Sequence, residues 1–455
     1  MNAFFRALVI WFACWSSAFG GVRFVAANGT DSEGCGSAEH PCRSISQAMT
    51  NAEDGDTIYV GPGRYGDLSA NGSFSGPGDE QPQVGTGWSP GCIVCIEKPL
   101  HIYTQLGASV TFIASGPYVA YSSTVSIRHD GVDFGAAGHG FTITGGNSSG
   151  VTVDLAYAGV PVRNNISVAG NVDFGDQGGF GLVGATSLPI GCSVDDCAFS
   201  SRILIDNNQA LNNSVGGFFV SVAYSGPPGQ IIVRNNQSIG AGTGFSVIPW
   251  SLFGGDSPAT ASNVQVLNNV AASGGTGFYI NASGPVRYNT AISNAQSGYQ
   301  MRPGGAAFTD NSAIDNAGPG MLLNFSAEAF SVAPIAFAPF SNNNIFGNDR
   351  HRPANLQSNF SFSEPDSSFG SFNPGPGAHC GVLNVGVIPG LFPPLPPVPA
   401  LQPAPQNYWG SAAGPTASGA GDTLGGRCDQ NGGVTTASPP AWRPFPITSN
   451  PVSSN

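Results

Sequence analysis

The sequence has little charge and almost no lysine. Only 9% of its 455 residues are Asp, Glu, Lys or Arg, and the formal net charge is −12. Lys98 is the single lysine. Double-stranded nucleic acid and anionic membrane surfaces attract clustered Lys and Arg, so neither is expected as a partner.

Beyond its first residues, the sequence lacks an apolar run long enough to span a membrane. The opening MNAFFRALVIWFACWSSAFG places one Arg before a short apolar run that is followed by small residues. This order is typical of a secretory signal peptide over residues 1–20, with cleavage expected after Ala18 or Gly20. The protein is therefore predicted to be secreted, periplasmic or at the cell surface.

A helix-forming composition is missing as well. The 65 Gly and 36 Pro are too many for a helical protein, whereas 41% hydrophobic residues are too many for a disordered chain. A solenoid fits both facts, because its core grows along an axis and a long chain does not require several domains.

One phrase recurs along the chain, with asparagine near its start and glycine before a large residue near its end. Its second asparagine is Asn208, Asn236, Asn269, Asn289 and Asn311 in turn, and the large residue is Phe218, Phe245, Phe278, Tyr299 and Met321. The two are always 9 or 10 residues apart, and the shortest repeat is about 20–22 residues, a period typical of a solenoid. VRNN (162–165), with Phe180, is interpreted as the first clear repeat.

The alternation within each repeat predicts strands. Phe278 and Ile280 should point inward, and Tyr279 and Asn281 outward. Three short strands per turn predict an all-β right-handed parallel β-helix, with equivalent strands paired at about 4.8 Å. The asparagine is expected at a sharp bend with left-handed φ, its amide stacked on those of neighbouring coils, and the aromatic residues should stack inside.

Residues 28–67 resemble the opening of exported bacterial right-handed β-helix proteins with the pectate-lyase-like superfamily fold, and NYWGSAAGPT (407–416) resembles their last coil. The resemblance implies a cap helix at about Ile45 to Ala52. The mature chain is predicted to form one domain over 21–455. Its parts are the cap and first coil at 21–67, a surface excursion at 355–406 that its Pro-rich composition indicates, and the closing coil at 407–455. The resemblance leaves function open, because this architecture hosts lyases, polygalacturonases, epimerases and adhesins.

Eight cysteines remain once the leader containing Cys14 is removed, an even number that indicates disulfides in an oxidising compartment. Pairing between neighbours is the simplest of several patterns. It would join Cys35 to Cys42, Cys92 to Cys95, Cys192 to Cys197, and Cys380 to Cys428.

The strand after the glycine corresponds to the groove face of polysaccharide-active β-helices. One predicted outward column is Thr152, Gly181, Phe219, Ser246, Tyr279, Gln300 and Leu322, and the next is Asp154, Val183, Ser221, Ile248, Asn281, Arg302 and Asn324. Long segments follow this strand at about 184–201, 223–230 and 249–262, and are expected to wall one side of a groove.

Candidate site residues lie on this face and its loops. The substrate-binding candidates are Phe219, Trp250, Asp256, Asn281 and Gln300, and the catalytic candidates are Tyr279, Arg302, Asp154, Asp195 and Asp196. In a lyase or epimerase, Arg302 would pair with a uronate carboxylate and Tyr279 would move a proton. Calcium is the cation considered, although no dense acidic cluster is visible. The aromatic residues would either stack on sugar rings or pack loops onto the sheet.

Two further patterns bear on function. AGHGF (137–141) and VDDC (194–197) imitate polygalacturonase signatures in reversed order, so coincidence is favoured over hydrolysis. The column Arg163, Asp206, Arg234, Leu267, Arg287 and Thr309 indicates cross-strand ion pairs, or else a stripe for an anionic glycan. Two functions stay open: a polysaccharide lyase or epimerase, and a non-catalytic adhesin-like protein that binds a glycan or a partner. The oligomeric state is not predicted.

Overall fold

The structure is a computed structural model. It describes residues 20–83, 91–116, 123–145, 149–154, 165–185, 202–223, 231–248, 264–280, 284–301, 307–323, 340–349, 379–384, 407–411 and 428. Nothing in these ranges forms a helix long and apolar enough to cross a membrane. The predicted leader lies outside them, apart from Gly20.

The strands form three parallel sheets, named A, B and C in the order in which each coil visits them. Sheet A contains Val22–Val25, Thr57–Val60, His101–Thr104, Asp133–Phe134, Ile166–Ala169, Ile203–Asp206, Ile231–Arg234, Gln265–Leu267, Val286–Arg287, Phe308–Thr309 and Phe340–Ser341. Sheet B contains Gly63–Gly66, Thr111–Ala114, Thr142–Thr144, Val172–Phe174, Gln209–Leu211, Gln237–Ile239, Val270–Ala272, Thr290–Ile292, Ser312–Ile314 and Asn344–Phe346. Sheet C contains Cys92–Ile96, Ser123–Ile127, Ser149–Asp154, Gly178–Ala185, Gly216–Ala223, Thr243–Ile248, Thr276–Ile280, Tyr299–Met301, Met321–Leu323 and Val382–Asn384. Each strand pairs with its equivalents one coil away, which confirms the predicted right-handed parallel β-helix.

A short helix, Ile45–Asn51, covers the first coil, as the resemblance implied. Ser44 is its N-cap, and Ala52 is its C-cap. Ile45, Ala48 and Met49 are buried against the end of the tube. An apolar end of this kind would otherwise face water, so the helix closes the core.

The turn between sheets A and B, called the first turn here, contains the predicted asparagine ladder. In Asn269, Nδ2 donates to Oδ1 of Asn289 at 3.0 Å and to the carbonyl of Val233 at 2.9 Å, and Oδ1 accepts from the backbone N–H of Asn236. The same pattern runs through Asn171, Asn208, Asn236, Asn269, Asn289, Asn311, Asn343 and Asn407. These side chains are buried and their amides are paired, so the ladder is structural.

Two details of the ladder differ from the prediction. The left-handed φ belongs to the residue before each ladder asparagine: it is 54° at Asn207 and at Asn268. The rung before Asn208 is Asn171, not Asn165 of VRNN. Gly170, with φ 69°, takes the place of the usual first asparagine there, which hides the repeat.

The glycine before each large residue permits close packing of the coils. A Cβ on Gly244 would lie 2.5 Å from the carbonyl oxygen of Gly277 and 2.6 Å from Cβ of Ala271. The rings that follow stack inside the tube as predicted, with centroids 4.6–5.1 Å apart, in the order Phe180, Phe218, Phe245, Phe278 and Tyr299. Such stacks contribute about 0.5–1.5 kcal/mol per pair beyond their burial.

Three of the predicted disulfides are present: Cys35–Cys42, Cys92–Cys95 and Cys380–Cys428. Cys192 and Cys197 lie outside the described residues. Cys380 precedes the strand Val382–Asn384, which extends sheet C. This part of segment 355–406, predicted as a surface excursion, therefore belongs to a coil.

Candidate functional site

The outer face of sheet C has the register that the sequence predicts. Successive pairs join Thr152 to Gly181, Gly181 to Phe219, Phe219 to Ser246, Ser246 to Tyr279, Tyr279 to Gln300, and Gln300 to Leu322. The neighbouring column joins Asp154, Val183, Ser221 and Ile248. The spacing between asparagine and aromatic residue therefore predicted which side chains share this face.

Only the middle of this face is open. Phe219 is 40% exposed, and Ser246 and Tyr279 are half-buried. In the same column, Thr152, two coils before Phe219, and Gln300, one coil after Tyr279, are buried. We call the open part, formed by Val183, Phe219, Ser246, Ile248 and Tyr279, the sheet C window.

The described side chains of the sheet C window include two aromatic rings and no charge. Phe219 and Tyr279 are separated by one coil, that of Ser246, which places them about 10 Å apart along the axis. Two rings of this kind, with a hydroxyl between them, form a surface that can stack on flat apolar faces and donate a hydrogen bond.

Asp154 and Tyr279, two of the predicted catalytic residues, are not brought together. The coil that contains Asp154 lies four coils before the one that contains Tyr279, a distance of about 19 Å along the axis. Asp154 is also buried, with 4% of its surface exposed. The two residues therefore cannot act on the same sugar unit.

Arg128 is a residue of this face that the sequence analysis did not select. Ile127 pairs with Val153, so Arg128 and Asp154 are the next residues on adjacent strands. Arg128 Nη1 donates to Glu97 Oε1 at 3.1 Å and to Gln83 Oε1 at 2.9 Å, with its side chain 2% exposed. The alternation in VSIR, which places Ser126 outward, would also have placed Arg128 outward. Because Glu97 and Gln83 pair with this buried guanidinium, Arg128 has a structural role in the first coils.

Most of the remaining candidates lie outside the described residues. These are Arg302, Asp195, Asp196, Trp250, Asp256 and Asn281, together with most of the three long segments expected to wall the groove. Gln300 lies beside Tyr279 on the next coil and is 8% exposed. For the residues outside the described ranges, the assignments remain predictions.

The predicted charged column on sheet A contains one ion pair. Asp206 pairs with Arg234 in register, and their side chains are 2.8 Å apart. Leu267, Arg287 and Thr309 follow in the predicted order. Ala169 occupies the position assigned to Arg163, which lies outside the described residues. This pair favours the cross-strand reading of the column.

The Gly-His-Gly fragment forms a turn. The backbone N–H of His139 donates to the carbonyl of Ala136, and its ring Nδ1 lies 2.9 Å from the carbonyl oxygen of Thr104. Its partner motif, VDDC, lies outside the described residues.

Within the described ranges, a single group of three or more His, Cys, Asp or Glu lies close enough together to hold a metal. It consists of Asp31, Cys35 and Cys42, whose two sulfurs are joined to each other. Asp31 Oδ1 accepts from the backbone N–H groups of Arg43 and Ser44. These atoms are therefore already engaged and do not form a metal site.

Comparisons with known proteins give fold-level similarities. No protein-family model matches the sequence, and no curated protein matches it. Among solved structures, a rhamnogalacturonan lyase shares 16% identity with a TM-score of 0.41, over 71% of this chain and 87% of that one. The pectate lyase Pel9A shares 15% identity with a TM-score of 0.34, over 78% and 85%.

Proposed function

We propose that this protein binds an extracellular polysaccharide along the outer face of sheet C. The observation that supports the proposal most is the pair Phe219 and Tyr279, on either side of Ser246 in the sheet C window. Phe219 is 40% exposed on a rigid strand, and together with Tyr279 it offers stacking area to a ligand that spans the sheet C window. Rigid aromatic rings contribute contact area at low entropic cost.

The shape of the face suits a linear polymer. Its columns repeat once per coil along the solenoid axis, so equivalent contacts recur at about 4.8 Å. The described part of the sheet C window contains aromatic, aliphatic and hydroxyl side chains. It is therefore adapted to stacking and hydrogen bonding, and less to ion pairing with an anionic glycan.

A second function, that of a lyase or epimerase, is favoured by one observation. Tyr279 pairs in register with Gln300, so Arg302 would follow two residues further along the same strand direction, beside the position of Asn281. A phenol that transfers a proton and a guanidinium that neutralises a uronate would then lie near each other. Asp195 and Asp196 would complete this site as ligands for a cation or as acid and base.

Substitutions at Phe219 test the binding proposal. Phe219→Ala should weaken binding to a responsive polysaccharide by tenfold or more, because one lost stacking contact is worth about 1.4 kcal/mol or more. Phe174 is a matched control, since it is 50% exposed but lies on sheet B. Affinity electrophoresis or calorimetry against neutral and acidic polysaccharides would measure the change. Equal affinity of Phe219→Ala and wild type, or no binding to any glycan, would contradict the proposal.

Tyr279→Phe separates the two functions, because it keeps the ring and removes only the hydroxyl. A binding protein should retain its affinity in this variant. A lyase should lose the ultraviolet absorbance of unsaturated products, measured with calcium and with chelator. Turnover that survives in Tyr279→Phe would exclude the phenol as the proton carrier.

A further inference from the structure

An acidic pair lies inside the tube, away from the sheet C window. Asp173 belongs to an inward column of sheet B whose members are Ile143, Asp173, Ala210, Ser238, Ala271, Ala291, Ala313 and Ile345. Every other member is small or apolar, and Asp173 has no exposed surface. An ionised carboxylate in such a place is costly unless something neutralises it.

Asp176 lies near Asp173, in the turn between sheets B and C, called the second turn here. In later coils this turn contains amides: Asn294 Oδ1 accepts from the backbone N–H of Gly274, and its Nδ2 donates to Oδ1 of Asn316. Asp176 takes the equivalent place, with Oδ1 accepting from the backbone N–H of Gly145 at 2.5 Å. Asp176 is 2% exposed. Where the later coils have an amide, this coil therefore has a second buried carboxylate.

Asn213, on the following coil, points into the pair. It is fully buried, and its Nδ2 donates to Asp173 Oδ2 at 2.5 Å. No hydrogen-bond donor of the described residues reaches Oδ1 of Asp173 or Oδ1 of Asn213. Buried oxygen atoms without donors are rare in proteins, and a bound ion or water is one explanation for them.

The backbone beside these oxygen atoms is kept clear by glycine. A Cβ on Gly150 would collide with Asp173 Oδ1 and would lie 3.2 Å from Asp176 Oδ2. Both carboxylates therefore face the same space. Burial and the adjacent charge of Asp176 raise the pKa of Asp173 well above its usual range.

We propose that Asp173, Asp176 and Asn213 form an internal site for a hard divalent cation, with calcium as its probe. The atoms without donors, Asp173 Oδ1 and Asn213 Oδ1, are oxygens, which hard cations prefer, and two carboxylates balance a charge of +2. A single proton shared by the carboxylates would supply one donor and would leave Asn213 Oδ1 without a partner. A cation engages several oxygen atoms at once. By joining residues of consecutive coils, the ion stabilises the fold.

The test uses the full chain after treatment with a chelator. Elemental analysis and calorimetry should find one calcium ion bound per chain with Asp173 intact, and calcium should raise Tm. Asp173→Asn should abolish this rise in Tm. Asn316→Ala is the matched control, because it removes an amide rung of the same turn without touching a carboxylate. Its Tm should fall, while the calcium-dependent rise is retained.

A different set of results would contradict the calcium site. A wild-type protein that binds no calcium and shows no change in Tm would overturn the proposal, and Asp173→Asn would then be as stable as wild type or more so. If Asp173→Asn does not fold, elemental analysis and the Tm of wild type decide the matter alone. Phe219→Ala should leave the calcium response unchanged, so this site and the glycan site fail or succeed separately.

Discussion

The two turns that follow sheets A and B differ in how their residue types change from coil to coil. The first turn has asparagine in all eight coils from Asn171 to Asn407. The second turn changes residue type from coil to coil, and its backbone hydrogen bonds align Asp176, Asn213, Ala241, Gly274, Asn294, Asn316 and Asn348. The first turn therefore keeps one residue type in these coils, and the second turn does not.

The difference shows where this solenoid can carry chemistry. In the first turn each amide satisfies its neighbours, so any other residue would leave a buried donor or acceptor unpaired. In the second turn the amide ladder runs through the late coils, whereas an early coil has Asp176 at this position, beside Asp173 on sheet B. Departures from a locally consistent pattern are where functional or ligand-dependent residues are expected.

Breaking the first turn should have the largest effect. Asn269→Ala removes the side-chain bonds to Asn289, Val233 and Asn236, and leaves a buried carbonyl and buried N–H donors unpaired. We expect the free energy of unfolding to fall by about 3 kcal/mol or more. Urea unfolding followed by circular dichroism would measure it.

Asn268→Gly is the control in the same turn. Asn268 has φ 54° and is half-buried, so glycine fits its backbone, and the change removes one part-buried hydrogen bond, from Nδ2 to Oδ1 of Asn235. The free energy of unfolding should fall by about 1 kcal/mol, well below the loss in Asn269→Ala. A large loss in this control, or a small one in Asn269→Ala, would show that the turn conformation matters more than the ladder.

The second turn should be less sensitive. Asn316→Ala removes the bonds to Asn294, Asn348 and the carbonyl of Ala291. Because the described part of this ladder has three rungs, with less cooperative support, we expect a loss of about 2 kcal/mol by the same unfolding measurement. A loss equal to that of Asn269→Ala would remove the contrast between the turns.

The surface beside the first turn should contribute least. Asp206, two residues before Asn208, pairs with Arg234, whose side chain is 39% exposed. Asp206→Asn should cost less than about 1 kcal/mol, and the difference should shrink in high salt. A loss that does not depend on salt would indicate that Asp206 acts through its bond to Asn235 instead.

The sequence predicted most of this fold because each repeat keeps a constant distance between asparagine and aromatic residue. That distance places Tyr279 opposite Ser246 and Gln300, as observed. It would also have identified Asn171, which lies 9 residues before Phe180, whereas Asn165 lies 15 before it. The error arose because Gly170 replaces the first asparagine of the phrase.

The sequence pattern did not predict the acidic pair, Asp173 and Asp176. Simple alternation in Val172-Asp173-Phe174 predicts that the apolar residues point inward. The structure has the opposite arrangement, with Asp173 buried and Phe174 50% exposed. The ladder at Asn171 fixes the register of this strand, and a register set by neighbouring coils overrides local hydrophobicity. The catalytic candidates depend likewise on three-dimensional placement, as the distance between Asp154 and Tyr279 shows.

The asparagine ladder also has a direction. From Asn171 to Asn343, each Nδ2 donates to Oδ1 of the asparagine on the next coil, so all eight Oδ1 atoms face the earlier coil. Aligned dipoles add, as they do in a helix, and give the two ends of the column opposite partial charges. At the first end, Asn171 Oδ1 accepts from the backbone N–H of Phe141. The coil before Asn171 therefore supplies the donor that the first rung requires, from its main chain instead of from another asparagine.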